Sequence, residues 1–375
     1  MIQKILEILH ECCVDVYSIC ETGRETAELF FIKKNLDMRR KTKTDDIVVT
    51  VYRDFVINGE NYRGNASFNV SPSTSDKELK AKCKKAYMAA KFVPNKFYDL
   101  APAKRAECFE VESGLNGIGI EQAASKFVNA VYKEDTDENA FINSAEFFAV
   151  RDKVRIVNSN GVDVSYIKNN VNGEFVVQCK NPQDVETHQS FSYDDLNTKE
   201  ISELVRNTLK LTKDRAKAVE APKAGKYDIV LSGKYVDTVL GYYKDRANGA
   251  YVYQQYSDYE TGKEIGADIN VEYVPTVPYS SEGVGMKNLV CIEDGKLKNM
   301  HANCRYAYYL GMKPTGVYSK ISVQPGDMSF DDMKAHKGLY VVNFSDFQMD
   351  SLSGFFGGEI RLAYYNDGEK IVPVT

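Results

Sequence analysis

Apolar residues open the chain at helical spacing: Ile2, Ile5, Leu6, Leu9, Cys12, Cys13 and Val16 fall on one face, and this predicts an amphipathic helix. The pattern then changes to the alternation of strands, over residues 14–20 and 27–33. A hairpin is predicted over residues 46–70, because the runs 47–52 and 62–70 flank Asn58-Gly59, a pair that suits left-handed backbone. Ser75, with Glu78 three residues on, opens a second helix with Leu79, Cys83, Ala86, Tyr87 and Ala90 inward and Met88 and Lys91 off the stripe. Residues 94–115 contain Pro102 and no period, and read as a long connection. A third helix over 120–133 turns Ala123, Ala124, Phe127, Val128 and Val131 inward. Strands are expected at 139–150, 153–157, 162–168 and 173–180, with turns at Asn160-Gly161 and Asn172-Gly173. A helix over about 199–218, capped from Asn197 or Thr198, leads into Ala221-Pro222-Lys223-Ala224-Gly225, where the Pro and Gly mark the best domain boundary.

Beyond that boundary a short strand at 227–231 precedes a helix started by Ser232 or Gly233, with Tyr235, Val236, Val239, Leu240 and Tyr243 inward. The remainder, 251–374, reads as mostly extended and rich in tyrosine. Within it, an extended segment ends at Pro325-Gly326 and Ser329 caps a short helix with Asp332. Strands follow at 339–344 and 359–365 around a Gly-rich turn at Ser353-Gly354. A turn at Asn366-Asp367-Gly368 leads to a last strand into Pro373. The expected fold is α+β: an N-terminal antiparallel sheet with packed helices over 1–220, then a β-rich, barrel- or sandwich-like domain over 221–375.

The chain's 375 residues suffice for two cores, and with 43% hydrophobic and 27% charged residues the composition argues against disorder. A net charge of −5, spread along the chain, argues against direct nucleic-acid binding. The first helix lacks the unbroken apolar core of a signal peptide, and no run reaches the roughly twenty apolar residues of a spanning helix, so no membrane partner and a cytoplasmic location are expected. The eight cysteines include no C-x-x-C pair and read as reduced thiols.

Several short words stand in a specific order. Ser281-Glu-Gly-Val, Asp294-Gly-Lys-Leu, Ala307, Leu310-Gly311 and Thr315-Gly316 precede Gly326-Asp327 with Ser329, then Gly338-Leu-Tyr-Val-Val, Asp350-Ser-Leu-Ser-Gly-Phe-Phe and Asp367-Gly-Glu-Lys-Ile-Val-Pro-Val. This ordered set resembles the TldD/PmbA family, metallopeptidase-related proteins long labelled modulators of DNA gyrase. The resemblance covers nearly the whole chain and is strongest from Tyr227 onward. In the family's peptidase branch it implies a His-Glu-x-x-x-His motif on the helix after the first C-terminal strand, with two imidazoles on zinc and the carboxylate as general base. Here that motif falls on Gly241-Tyr242-Tyr243-Lys244-Asp245-Arg246, so Gly replaces the first ligand, Tyr the Glu and Arg the second His. No slip of register restores it, because no histidine lies between His188 and His301. The resemblance also implies a segment after the Val372-Pro373-Val374 strand that carries a cysteine ligand. With the residues ending at Thr375, a second lost ligand and an uncovered apolar surface or sheet edge are expected.

No catalytic residue, metal or cofactor is therefore assigned. The resemblance points to the TldE/PmbA-like branch: a non-catalytic subunit that binds unstructured peptides or a TldD-like metallopeptidase partner, or that works as a homodimer. An active hydrolase with an unrecognised site is the alternative, although the chain has no G-x-S-x-G elbow. Gly114-Leu-Asn-Gly-Ile-Gly mimics a phosphate loop without its Lys-Ser/Thr and reads as a helix entry. Cys291, His301 and Cys304 could face a zinc ion, but lack a fourth ligand, and a core thiol with a surface imidazole is the expectation. The candidate peptide cleft or interface consists of Gly241, Tyr242, Arg246, Tyr253 and Tyr256. Tyr242 and Arg246 read either as ordinary residues of a half-exposed helix or as a cleft lining in which Arg246 holds a carboxylate or carbonyl. The tyrosines at 242, 243, 251, 253, 256 and 259 read as sheet surface or as an interface.

Overall fold

A computed structural model describes residues 1–266 and 268–375. Four long strands and their partners build the first sheet. β1 (Val16–Ile32) and β2 (Asn35–Ile57) form a hairpin; β3 (Glu60–Val70) follows. β6 (Ala140–Asn158), β7 (Val162–Cys179) and β8 (Val185–Tyr193) complete its antiparallel body. Two short pieces in the long connection, β4 (Lys104–Arg105) and β5 (Phe109–Glu110), run parallel to β7. The order is β3-β2-β1-β6-β7, with β4, β5 and β8 all on β7. At the β2–β3 turn Asn58 and Gly59 both have positive φ, 51° and 83°, the geometry that their sequence favours.

Four helices pack on one face of this sheet. α1 (Ile2–Glu11) and α2 (Asp76–Ala90) cover one end, burying Ile5, Leu9, Leu79 and Cys83 against Ile19, Val49 and Val51. The α2 cap is as predicted, with the Glu78 N–H donating to Ser75 Oγ at 3.3 Å. α3 (Ile120–Tyr132) and α4 (Thr198–Ala216) cover the other end, where Phe127, Phe147 and Phe175 are fully buried. Each such ring contributes roughly 1.5–3 kcal/mol of burial.

The structure corrects several expectations. The pieces at 14–20 and 27–33 are one strand, and the four pieces between 139 and 180 are two. Asn172-Gly173 is not a turn. Gly173 lies inside β7 opposite Phe147 and Phe191, and a Cβ there would stand 2.0 Å from the Glu146 carbonyl oxygen and 2.9 Å from the Phe191 ring. The glycine lets strands and ring approach closely. β8 went unpredicted.

The rest of the chain forms two four-stranded sheets. The second has the order β12-β11-β10-β13, from β10 (Val271–Val274), β11 (Leu289–Glu293), β12 (Lys296–Leu297) and β13 (Lys320–Val323). The third has the order β16-β15-β14-β9. Here β9 (Ile229–Leu231) runs parallel to β14 (Gly338–Met349), while β15 (Phe356–Asn366) and β16 (Ile371–Val374) are antiparallel neighbours. Four helices accompany them: α5 (Lys234–Arg246), α6 (Gly249–Tyr253), α7 (Cys304–Tyr309) and α8 (Phe330–Ala335). The Ser329 cap of α8 forms as predicted, Asp332 N–H donating to Ser329 Oγ at 3.1 Å. α6 and α7 were missed, so the region after Tyr251 is less extended than expected. The architecture is the expected α+β, a curled antiparallel sheet with helices and a β-rich C-terminal part.

Candidate functional site

α5 leaves β9 through Gly233, whose φ of 57° makes the sharp change of direction. Of its five predicted inward residues only Tyr235 is buried; Val236, Val239, Leu240 and Tyr243 are half-buried. The Tyr235 hydroxyl reaches β14, where it accepts the Phe344 N–H at 2.8 Å. The loop after β14 docks on the helix: Ser351 Oγ donates to Asp245 at 2.8 Å, and a Cβ added at Gly354 would stand 3.8 Å from the Tyr242 ring. The motif helix is thus held against the β14–β15 hairpin.

Arg246 is the centre of the site. Its guanidinium donates to the Tyr256 carbonyl at 2.5 Å and to Asp258 at 2.7 Å, and stands 5.9 Å from the Tyr242 ring and 5.5 Å from the Tyr259 ring. The side chain is 13% exposed, whereas Asp258 is 71% exposed and also carries Lys263 at 2.5 Å. Lys263 first, and Arg246 with it, hold the Asp258 carboxyl below its ordinary range. Burial pushes the Tyr259 phenol up. Arg246 Nε is the one buried side-chain nitrogen or oxygen among the described residues with no hydrogen-bond partner. Such an orphan costs about 1–3 kcal/mol, so the other contacts must outweigh it.

The five candidate residues do not form one cluster. Tyr242, Arg246 and the Tyr256 backbone meet, and Gly241 sits beside them with open space where a Cβ would go. Tyr253 belongs to a second aromatic group, 4.8 Å from the Tyr309 ring and 5.8 Å from Tyr306. Through Tyr309 that group reaches Tyr98 at 6.2 Å and, by a hydroxyl bond, the Lys96 carbonyl at 2.5 Å. Tyr251 and Tyr253 lie on α6 rather than on a sheet, a second correction, because the Asn248 side chain caps a short helix there. Asp258 and Lys263, the partners that fix Arg246, went unnoticed in the sequence because they sit at no motif spacing.

His301 is buried, not a surface imidazole as expected. Its Nε2–H donates to the Lys244 carbonyl at 3.0 Å, and its Nδ1 accepts from the Tyr318 N–H at 3.1 Å. Tyr273 lies 4.9 Å away. Burial lowers its pKa to about 4. With both nitrogens engaged by backbone, the ring has no lone pair left for a metal or a proton relay. Cys291 and Cys304 are buried thiols, each raised by burial.

The zinc that the peptidase branch implies does not fit this helix. Gly241 offers no donor, Tyr242 presents a phenol where the motif has a carboxylate, and Arg246 is itself a cation engaged by Asp258. A separate cleft of about 770 Å³ lies between α4 and the third sheet, with Tyr340 and Tyr364 stacked on its floor and Lys210, Lys334 and Lys337 at its rim. It reaches Ser232 and Gly233, just before α5, but not residues 241–246.

Residues 224–375 match the PmbA/TldA metallopeptidase C-terminal domain. Those residues form a domain of the TldD/PmbA type. TldE from Thermococcus kodakarensis has the same fold, with a TM-score of 0.77 over 98% of this chain and 89% of that one at 15% identity. A Thermotoga maritima protein labelled a modulator of DNA gyrase superposes with a TM-score of 0.76 over 100% of this chain and 90% of that one, also at 15% identity. A protein named metalloprotease from Methanothermobacter thermautotrophicus is 27% identical over 207 residues, which are 48% of this chain and 45% of the relative, so the match spans less than half the relative's length. No helix among the described residues is long and apolar enough to cross a membrane.

Proposed function

We propose that this chain is the non-catalytic, TldE-like member of a TldD/PmbA-type peptidase system, acting in the cytoplasm by binding unstructured peptides or a metal-bearing partner subunit. One observation carries the reading. The family's fold is kept along the chain, while the helix positions that align with His-Glu-x-x-x-His hold Gly241, Tyr242 and an arginine already paired with Asp258. A fold retained without its chemistry suits a subunit kept for binding or assembly. The half-buried face of α5 and the exposed Phe355, Phe356 and Leu352 of the neighbouring hairpin supply apolar area for such a role. The hydrolase alternative draws no support from His301, the buried imidazole, because both its nitrogens are bonded to backbone.

Casein digestion tests the proposal, with this chain and a His-Glu-x-x-x-His homologue from the same cell, singly and mixed. The expected result is no cleavage by this chain alone and a changed rate in the mixture. Robust proteolysis by this chain alone, from a preparation free of the homologue, would refute it.

A further inference from the structure

We propose that Arg246 is a resident cation that replaces a bound metal as the fastening of this corner, clamping the segment 256–263 to the C-terminal end of α5. The donors around the guanidinium are one carboxylate, one peptide carbonyl and two phenol rings. That is no shell for zinc, which needs several anionic or imidazole donors at about 2 Å. It matches a planar, delocalised and weakly hydrated cation, whose edge donates in two directions while its faces meet aromatic rings. The charge is enclosed although its carboxylate partner is not, so the cation is the fixed member of the pair.

The clamped segment continues into the second sheet. Gly262 N–H donates to the Leu297 carbonyl at 2.7 Å, and Leu297 N–H donates back to Lys263 at 3.0 Å. Arg246 therefore ties the C-terminal end of α5 to β12 through residues 256–263.

The test is hydrogen exchange of the full chain read by mass spectrometry. Arg246→Ala should speed exchange across residues 256–263 by about tenfold or more, with the first sheet unchanged, since local opening is set by the contacts that hold a segment. Methylguanidinium at millimolar concentration should restore protection by entering the space left by the side chain, and zinc should not. Asp258→Asn, which keeps the guanidinium but removes its carboxylate, is the second arm should Arg246→Ala fail to fold, and it should loosen the same segment. Unchanged exchange in either variant, recovery with zinc, or no recovery with methylguanidinium would each overturn the proposal.

Discussion

Acid should loosen this protein through His301 before it reaches the carboxylates. The imidazole is enclosed, with its pKa lowered from the ordinary 6.5 to about 4 by burial. In the unfolded chain it takes a proton near pH 6.5, while the folded chain resists until about pH 4. The unfolded state therefore binds more protons across that window, and stability falls as pH falls through it. At about 1.4 kcal/mol per unit of pKa difference, the loss approaches 3 kcal/mol between pH 6.5 and 4, and about 2 kcal/mol of it is gone by pH 5. The structural origin is specific: protonating Nδ1 would turn the acceptor of the Tyr318 N–H into a second donor facing it. Urea unfolding followed by circular dichroism at half-unit pH steps measures the slope. His301→Gln should be less stable at pH 7.5 through lost packing against Tyr273, yet should lose about 2 kcal/mol less than the wild type on acidification to pH 5. Parallel pH profiles for wild type and variant would refute the reasoning. Groups elsewhere in the chain are common to both proteins and cancel in the difference.

Gly173→Ala should destabilise the first sheet by at least about 2 kcal/mol in the same urea assay, because the new methyl group meets the Glu146 carbonyl and the Phe191 ring; a change below about 0.5 kcal/mol would show that β7 can shift freely. We expect a dimer in solution, and Tyr256→Glu should move its mass toward monomer in light scattering, since Tyr256 is 52% exposed. Tyr253→Glu should do the same but also lower stability, because that ring packs on Tyr309 within its own chain. A wild type that is monomeric at tens of micromolar, on the order of where weak dimers form, removes the interface idea.

Local chemistry was legible wherever one residue decides the backbone or one face meets one partner. The Ser75 and Ser329 caps, the Asn58-Gly59 turn and the inward stripes of α2 and α3 are of that kind. Strand length was not legible, and the reason is physical. Between the α1–α2 layer and the α3–α4 layer no helix among the described residues covers the sheet. There the helix-side positions are Glu21, Gly23 and Glu25 on β1 and Arg151, Lys153 and Arg155 on β6, which lie across from one another in register. Lys43–Glu25 at 2.8 Å and Arg155–Asp163 at 2.9 Å pair across the strip, part of which forms an open cleft of about 720 Å³. Hydrophobic alternation lapses where nothing is buried, so each long strand reads as two short ones. Gly173 misled in the opposite way, as an Asn-Gly pair whose glycine answers to a ring on the next strand rather than to a turn.

The site divides along the same line. That α5 lacks metal ligands follows from residues 241–246 alone, but what replaced them does not, since Tyr256 and Asp258 come ten and twelve residues after Arg246 through a second short helix. The end of α5 turns out to be gripped from two sides, by His301 on the Lys244 carbonyl and by the Arg246–Asp258 pair. These grips answer differently to acid. The imidazole contributes fully above pH 6.5 and is lost as pH falls to about 4, whereas the Asp258 carboxyl, lowered by Lys263 and Arg246, holds its charge further down in pH than an ordinary carboxylate. Between pH 6.5 and 4, then, hydrogen exchange should quicken around residues 301 and 318 while residues 256–263 stay protected. Simultaneous loosening of both segments would mean that the two grips are one cooperative unit, with Arg246 unable to hold its side of the helix once His301 lets go.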